Sequence, residues 1–428
     1  EGSFADLQLN EWVVGHLGSL GFNKPTPIQY NCIPPILKGK DCFGCSKTGS
    51  GKTAAFALPV LQKLSEDPYG VFCLVLTPTR ELAYQIADQF AFIGKPINVR
   101  TCVVVGGMDM LKQAHQLQKK PHIVIATPGR LADLLRTNEN NVKLNKIKFL
   151  VLDEADRLLD KMDGDFTEDL NVIFSALPKE RCLQTLLFSA TLTDTLNEVK
   201  ELSTKNPFFW KSNNTVSTVD NLDQRYILLP EHIRDGYLVY ICKDLLEKYP
   251  GHSIMIFTKT CKNCQILGML LQKSGFDCVV LHSIMKQRHR LAALSKFKSS
   301  NTRLLVATDV AARGLDIPVV QVVINHNVPG LAKNYIHRVG RTARAGRGGL
   351  SITLVTQFDI HRVQSMEGHI NTKLSEYEVD ENEVLKILTK VNLMKRETEL
   401  ILEDQNFGEK RKINKDKALI LEGKVSNG

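Results

Sequence analysis

Two short stretches carry side chains suited to phosphate chemistry. The first is CSKTGSGKT, residues 45–53. Gly49 and Gly51 let the backbone bend so that its N–H groups point inward, at the positive end of the helix that follows. Lys52 can then reach the β- and γ-phosphates of a triphosphate, and the Thr53 hydroxyl can ligate Mg2+. The spacing puts Ser46 where such loops usually carry their first glycine, and a small residue suffices there. Ser46, Lys47, Thr48, Gly49, Ser50, Gly51, Lys52 and Thr53 thus make up the expected triphosphate loop. The second stretch is FLVLDEADRLL, residues 149–159. Asp153, at the tip of an apolar strand, is placed for a second Mg2+ contact. Glu154 beside it can orient and deprotonate an attacking water.

Side chains this far apart in sequence need a scaffold to bring them together. GKDCFGC before the loop reads as a short strand and AAFALPVLQKL after it as a helix, which is the context a phosphate loop requires. Residues 71–79, 99–105, 122–127 and 147–152 are short runs rich in Val, Ile and Leu, with helix-like stretches between them. Doubly buried parallel strands alternating with helices have this pattern. It restarts with runs at 253–257, 276–282, 303–308, 319–326 and 351–356. The reading is therefore two α/β domains with mostly parallel sheets, at residues 1–207 and 223–365. Residues 208–222, around the polar KSNNTVSTVDN, form the expected linker. Residues 366–428 form a helical C-terminal extension, in which Val384, Ile387, Leu388 and Val391 recur at helical spacing and predict a helix packed on the second domain.

The 428 residues are 43% apolar and 24% charged, ordinary globular usage with enough apolar side chains for two cores. No apolar run approaches the ~18 residues of a membrane span, and the opening EGSFADLQLNEW has no signal-peptide character, which predicts a soluble intracellular protein. The CxxC pairs Cys42/Cys45 and Cys261/Cys264 lie too far apart for a zinc ribbon, so free thiols are expected and no metal is assigned to them. Lys and Arg balance Asp and Glu at 23 each over residues 1–207, but number 21 against 10 over residues 208–365. A basic excess confined to one domain predicts a polyanionic partner.

The ordered motifs around DEAD resemble the DEAD-box ATP-dependent RNA helicases, whose fold is a pair of RecA-like domains, and the resemblance covers residues 1 to about 365. GFNKPTPIQ (21–29) matches the family's Q motif. This implies ATP, with Gln29 hydrogen-bonding adenine and Phe4 and Phe22 close by. PTRELA (78–83), GG (106–107) and TPGR (127–130) would line one RNA groove through Pro78, Thr79, Arg80, Gly106, Gly107, Thr127, Pro128, Gly129 and Arg130. SAT (189–191) implies that Ser189 and Thr191, with Asp156, couple the ATP and RNA sites. In the second domain IMIFTKT (254–260), QRHR (287–290), ATDVAARGLD (307–316) and HRVGRTARAG (337–346) follow in family order. They imply Gln287, Arg290 and Thr308 at the RNA, Gly314 and Asp316 at the ATP ribose, and His337 in the coupling network. Arg341 and Arg344 would be arginine fingers for the γ-phosphate. The chain departs from the pattern at Ser46, Ser283 and Ala343. Ser283 stands where a glycine is usual and a positive φ could be required.

The resemblance implies single-stranded RNA held mainly by its phosphates, with little sequence choice and strong salt dependence. The helix RLADLLR (130–136) would bend the strand, giving local, non-processive unwinding by a monomer. A DNA translocase would share the phosphate loop but not DEAD with a Q motif. A metabolic phosphate-loop kinase leaves the second domain's arginines unexplained. An ATP-gated RNA clamp would use the same residues without separating strands. CSKTGSGKTAAFALPVLQKLSEDPYG, GGMDM and ITLVTQFDIH resemble the nucleolar, ribosome-assembly members. They imply pre-ribosomal RNA and pre-ribosomal particle proteins as partners, in the nucleus and nucleolus.

Overall fold

The structure, a computed structural model, describes residues 2–46, 49–137, 144–159, 166–178, 183–190, 207–212, 222–312, 317–342, 348–405 and 407–408. Lys47, Thr48, Thr191, Gly314, Asp316 and Arg344 lie outside the described residues, as do Ala343 and most of the expected linker. The described residues fall into two compact units, 2–212 and 222–408.

The first unit is built on seven strands: β1 (Cys42–Cys45), β2 (Cys73–Leu76), β3 (Thr101–Val104), β4 (Ile123–Ala126), β5 (Phe149–Asp153), β6 (Gln184–Ser189) and β7 (Phe208–Lys211). They lie in the order β3-β4-β2-β5-β6-β1-β7, and every pairing is parallel. The central strands are buried on both faces, so alternate residues feed two cores. From β2, Cys73 and Val75 join Phe56, Phe90 and Phe188 on one side. Leu74 and Leu76 join Leu131, Leu134 and Leu152 on the other.

The second unit repeats this plan with β8 (Leu222–Leu228), β9 (Ile254–Thr258), β10 (Cys278–Leu281), β11 (Leu304–Thr308), β12 (Val322–Asn325), β13 (Gly349–Val355) and β14 (Ser375–Glu376). Their order is β10-β11-β9-β12-β13-β8-β14, again with parallel pairings throughout. This is the first unit's permutation displaced by seven strands. The apolar runs read from sequence each hold one strand, and both sheets are parallel as expected.

Three segments differ from the sequence reading. Phe208–Lys211, placed in the linker, is an edge strand paired along β1 from Phe208↔Cys42 to Lys211↔Cys45, because its aromatic residues continue the sheet before the polar stretch begins. Leu222–Leu228 is a strand that opens with three consecutive polar residues, Asp223, Gln224 and Arg225, which masked it beside a polar segment. Ser375–Glu376 adds a two-residue strand beyond residue 366, where strands were expected to have stopped.

The C-terminal helix runs Glu381–Asp404, with Asp380 accepting from the Asn382 and Glu383 N–H groups at its start. Val384 and Val391 are buried, and the helix lies on Arg234–Lys248 and Cys261–Lys273 of the second unit, as its apolar spacing predicts. Contact is close at Gly236, where a Cβ would sit 2.7 Å from Leu388 Cδ1. Among the described residues no helix is long and apolar enough to cross a membrane.

An ion pair ties this helix down. Asp235, on Arg234–Lys248, takes Lys395 Nζ at 2.7 Å and His326 Nε2 at 2.7 Å. Burial acts to raise its carboxyl, but the His326 and Lys395 contacts outweigh it and hold the group well below the usual carboxylate range. A carboxyl depressed on folding contributes stability that is present above its unfolded value, near 4, and lost as pH falls through the folded value. The second unit is therefore expected to lose stability progressively below about pH 4. Urea denaturation of wild type and Asp235→Asn checks this: the variant is less stable at pH 7, and the gap narrows in acid.

Candidate active site and nucleic-acid interface

Parallel pairing brings the C-terminal ends of all strands of a sheet to one edge, where ligands of such sheets bind. In the first unit the register makes Cys45, Ser189 and Asp153 the last residues of three neighbouring strands, β1, β6 and β5. Neighbouring strands are about 4.8 Å apart, so β1 and β5 stand roughly 10 Å apart with β6 between them. Ser46 N–H donates to Ser189 O at 3.0 Å, which ties the phosphate loop to the SAT segment between its two functional neighbours.

Gly51 starts the helix Lys52–Glu66 with φ 87°, and Gly49 has φ 79°. A Cβ at Gly51 would sit 2.4 Å from Gln29 Nε2, so both backbone shape and space demand glycine there. Lys52 Nζ donates to Ser46 O at 2.6 Å, folding the ammonium over the loop, and the Ser50 hydroxyl is buried with no partner among the described residues. Thr53 is the second residue of the helix, half-buried at its positive end.

Asp153 is 3% exposed, and burial pushes its carboxyl up to about 7, with Lys52 pulling it down and Glu154 pushing it up. A carboxylate buried at a strand tip beside a lysine, with a threonine hydroxyl across the sheet edge, is an oxygen donor set of the kind Mg2+ takes. Glu154 follows in the left-handed region, φ 53°, which is uncommon outside glycine. Its N–H donates to Asp153 Oδ1 at 3.1 Å, and its carboxylate pairs with Arg157 at 3.3 Å. Asp156 and Ser189 are buried beside them.

Gln29 binds both its own segment and the loop: Thr26 N–H donates to Oε1 at 2.9 Å, and Nε2 donates to Gly51 O at 3.2 Å. One amide proton and one lone pair remain for a base. Phe4 is 5% exposed in the first core, whereas Phe22 is 51% exposed, so Phe22 is the aromatic ring left open to stack on a base.

The remaining half of the sheet, β3-β4-β2, carries the residues expected at RNA, and their loops interlock. The Arg80 guanidinium, after β2, lies on Gly106, after β3, where a Cβ would sit 2.9 Å from Nη2. Arg130 Nη1, after β4, donates to Met108 O at 2.8 Å. Gln113 clamps Val105 through both amide ends, at 3.1 and 2.9 Å, which fixes the turn into Gly106 and Gly107. Thr79 caps the helix Arg80–Ile93, and Thr127 and Pro128 are buried at its neighbour's start with Gly129 half-buried. Pro78 is half-buried between β2 and that helix. Gln113 was not legible as functional, since one glutamine in a polar helix carries no pattern.

The second unit places its expected RNA residues on the equivalent strands. Gln287 and Arg290 are buried on the helix Gln287–Lys298 after β10, and Thr308 ends β11 with a buried hydroxyl that has no partner among the described residues. Ser283 is not at positive φ, so a side chain is accommodated where glycine is usual in the family; its hydroxyl lies 3.4 Å from Cys261 Sγ. His337 is half-buried, while Arg341 is 3% exposed just past the helix Ala332–Val339.

A second residue that sequence reasoning missed is Arg338. It is 2% exposed and forks onto Asp309, with Nε to Oδ1 at 2.6 Å and Nη2 to Oδ2 at 2.8 Å. Nη1 donates to Asn327 O at 2.7 Å and Asn325 Oδ1 at 3.2 Å, and the guanidinium lies 5.3 Å from the Phe257 ring centroid. It thereby joins the strand ends of β9, β11 and β12 to the segment bearing His337 and Arg341. Its position between His337 and Arg341 was the available signal.

Comparison with known proteins follows the same division. Residues 26–199 match the DEAD/DEAH box helicase family, and residues 238–346 match the helicase conserved C-terminal domain. The chain is 62% identical over 421 residues to the human "Probable ATP-dependent RNA helicase DDX49", covering 98% of this chain and 86% of that protein. It is 46% identical over 433 residues to "ATP-dependent RNA helicase dbp8" of Schizosaccharomyces pombe, covering 99% and 94%. Among solved structures, S. cerevisiae Dbp5 bound to RNA and ADP BeF3 superimposes with a TM-score of 0.77 at 29% identity, covering 91% of this chain and all of that one. With its two RecA-like sheets, its phosphate loop and its DEAD strand tip, the chain belongs to the DEAD-box family of ATP-dependent RNA helicases.

Proposed function

We propose that the chain binds ATP with Mg2+ on the β1–β6–β5 half of the first sheet and single-stranded RNA on the loops of β3-β4-β2 and β10-β11-β9. Strand order carries this reading, since in both units it sorts the family's RNA motifs onto one half of the sheet. The phosphate loop and Glu154 fall on the other half of the first. Lys52 and the loop N–H groups hold the phosphates, Thr53 and Asp153 hold the metal, and Glu154 takes the proton of the attacking water. Mg2+ bound there would neutralise charge developing on the transferred phosphoryl group. Arg341 and Arg344 are assigned to the γ-phosphate, Gly314 and Asp316 to the ribose. Thr191 with Ser189, Asp156 and His337 would couple nucleotide to RNA.

ATP turnover measured with and without single-stranded RNA tests the assignment, and strand separation of a short duplex completes it. RNA-stimulated turnover with strand separation is expected; stimulation without separation would favour an RNA clamp. Gly106→Ala is expected to displace Arg80 and weaken RNA binding several-fold, with ATP affinity unchanged. If Arg80 holds one phosphate, the slope of log affinity against log salt should fall by about 0.7. An unchanged slope would remove Arg80 from the phosphate contacts.

The biological setting we infer is pre-ribosomal RNA processing in the nucleolus, by a monomer acting with pre-ribosomal particle proteins. The resemblance of residues 45–70, 106–110 and 352–361 to ribosome-assembly helicases supports it. Crosslinking that recovers ribosomal precursors is the expected result, and recovery of messenger RNA alone would overturn it.

A further inference from the structure

Among the described residues three ion pairs, of two kinds, fasten the C-terminal helix Glu381–Asp404 to the second unit. Two are on the surface: Lys273 meets Glu397 at 2.6 Å, with the glutamate 66% exposed, and Lys262 meets Glu403 at 4.0 Å. Lys395 meets Asp235 at 2.7 Å, where the carboxylate is 8% exposed and begins a continuous polar path. Asp235 Oδ1 accepts from His326 Nε2 at 2.7 Å. His326 sits directly after β12, and its Nδ1 lies 3.3 Å from Asn327 Oδ1, which also accepts from Lys259 N–H at 3.1 Å. The Asn327 carbonyl takes Arg338 Nη1, and Arg338 forks onto Asp309, next to Thr308 at the end of β11. All of these side chains but Lys395, Lys259, Asn327 and Asp309 are nearly fully buried, so each holds its neighbour in a low-dielectric setting where a lost partner is felt strongly.

We propose that Lys395 is a positioning residue for RNA-stimulated ATP hydrolysis: through Asp235, His326 and Asn327 it sets the orientation of Arg338 and Asp309, and with them Thr308 and the His337–Arg341 segment. The proposal rests on the assignment of those segments to RNA and nucleotide. It makes the C-terminal helix a working part of the helicase. A helix that merely covered apolar surface would need Val384, Val391 and Leu402, which are buried, but not a lysine aimed at a buried carboxylate. The surface pair Lys273–Glu397 supplies the internal control, since it docks the same helix without touching the path.

The test uses the full chain with Lys395→Met, Lys395→Arg and Lys273→Met, reading RNA-stimulated kcat, the KM for ATP and the thermal midpoint. Lys395→Met is expected to lower kcat about five- to tenfold with KM for ATP within about twofold, the scale of coupling carried by such networks. Lys395→Arg restores kcat, and Lys273→Met leaves it at the wild-type value. Wild-type kcat in Lys395→Met overturns the proposal, and so does an equal loss in Lys273→Met, which would assign the effect to helix docking in general. If Lys395→Met lowers the midpoint because the buried carboxylate has lost one of its two partners, Asp235→Asn combined with it removes that charge. The double variant is expected to raise the midpoint above that of Lys395→Met but not to recover kcat, and recovery of kcat overturns the proposal. A wild-type enzyme without RNA stimulation would instead count against the functional reading on which this rests.

Discussion

Glu154→Gln is expected to lower RNA-stimulated ATP turnover by about 10²–10⁴ while leaving ATP binding within a few-fold of wild type. The substitution keeps the size and planar shape of the side chain and removes only its capacity to take a proton. The groups expected to hold the nucleotide stay intact: Lys52 folded onto Ser46 O, Gly49 and Gly51 in the left-handed region, and Gln29 bonded to Gly51 O. Asp153, the expected metal contact, keeps its carboxylate and its bond from the residue 154 N–H. The side effect is that the charged partner of Arg157, 3.3 Å away and mostly buried, becomes a neutral amide whose oxygen can still accept from the guanidinium. Turnover and equilibrium ATP binding measured on the same preparation separate the outcomes. Undiminished turnover means that another group activates the water. Loss of binding together with turnover means that Glu154 holds the loop and is not the base.

What was legible in sequence follows what leaves a periodic or ordered mark. Strands buried on both faces, such as Leu74–Leu76 and Leu304–Val306, leave short apolar runs rich in Val, Ile and Leu, and their alternation with helix-like stretches marks them as strands. β7, β8 and β14 do not: β7 is four residues at a sheet edge that run into a polar stretch, β8 opens on Asp223, Gln224 and Arg225, and β14 is two residues long. The phosphate loop and the DEAD strand tip were legible because glycine, lysine and paired acids at fixed spacing have few other uses. The order of strands was not, because it depends on pairing, and it is order that sorts the motifs into two halves of a sheet. The path from Lys395 to Asp309 was invisible for a related reason. Its members are single polar residues on five segments of the chain, and only the fold makes them neighbours.

Arg338→Ala is expected to destabilise the second unit by about 3 kcal/mol, at the lower end of the cost of breaking a buried pair because the Asp309 side chain is 21% exposed. The loss has three sources: the fork onto Asp309, the bonds to Asn327 O and Asn325 Oδ1, and the guanidinium over Phe257. Arg338→Lys retains the charge but not the planar fork, so it can satisfy only part of this set and should fall between the two. Both variants should also lose RNA stimulation, since Asp309 follows Thr308 and Arg338 lies between His337 and Arg341. The chain offers a direct way to locate the damage. Its two tryptophans, Trp12 and Trp210, both pack on the first unit's core, so their fluorescence follows that unit alone. Circular dichroism follows both units. In Arg338→Ala the urea transition seen by circular dichroism should move to lower denaturant, while the tryptophan transition stays at the wild-type midpoint. Coincident movement of the two signals would mean that the units unfold as one. An unmoved circular dichroism transition would show that this arginine is not what holds β9, β11 and β12 in register with the segment after them.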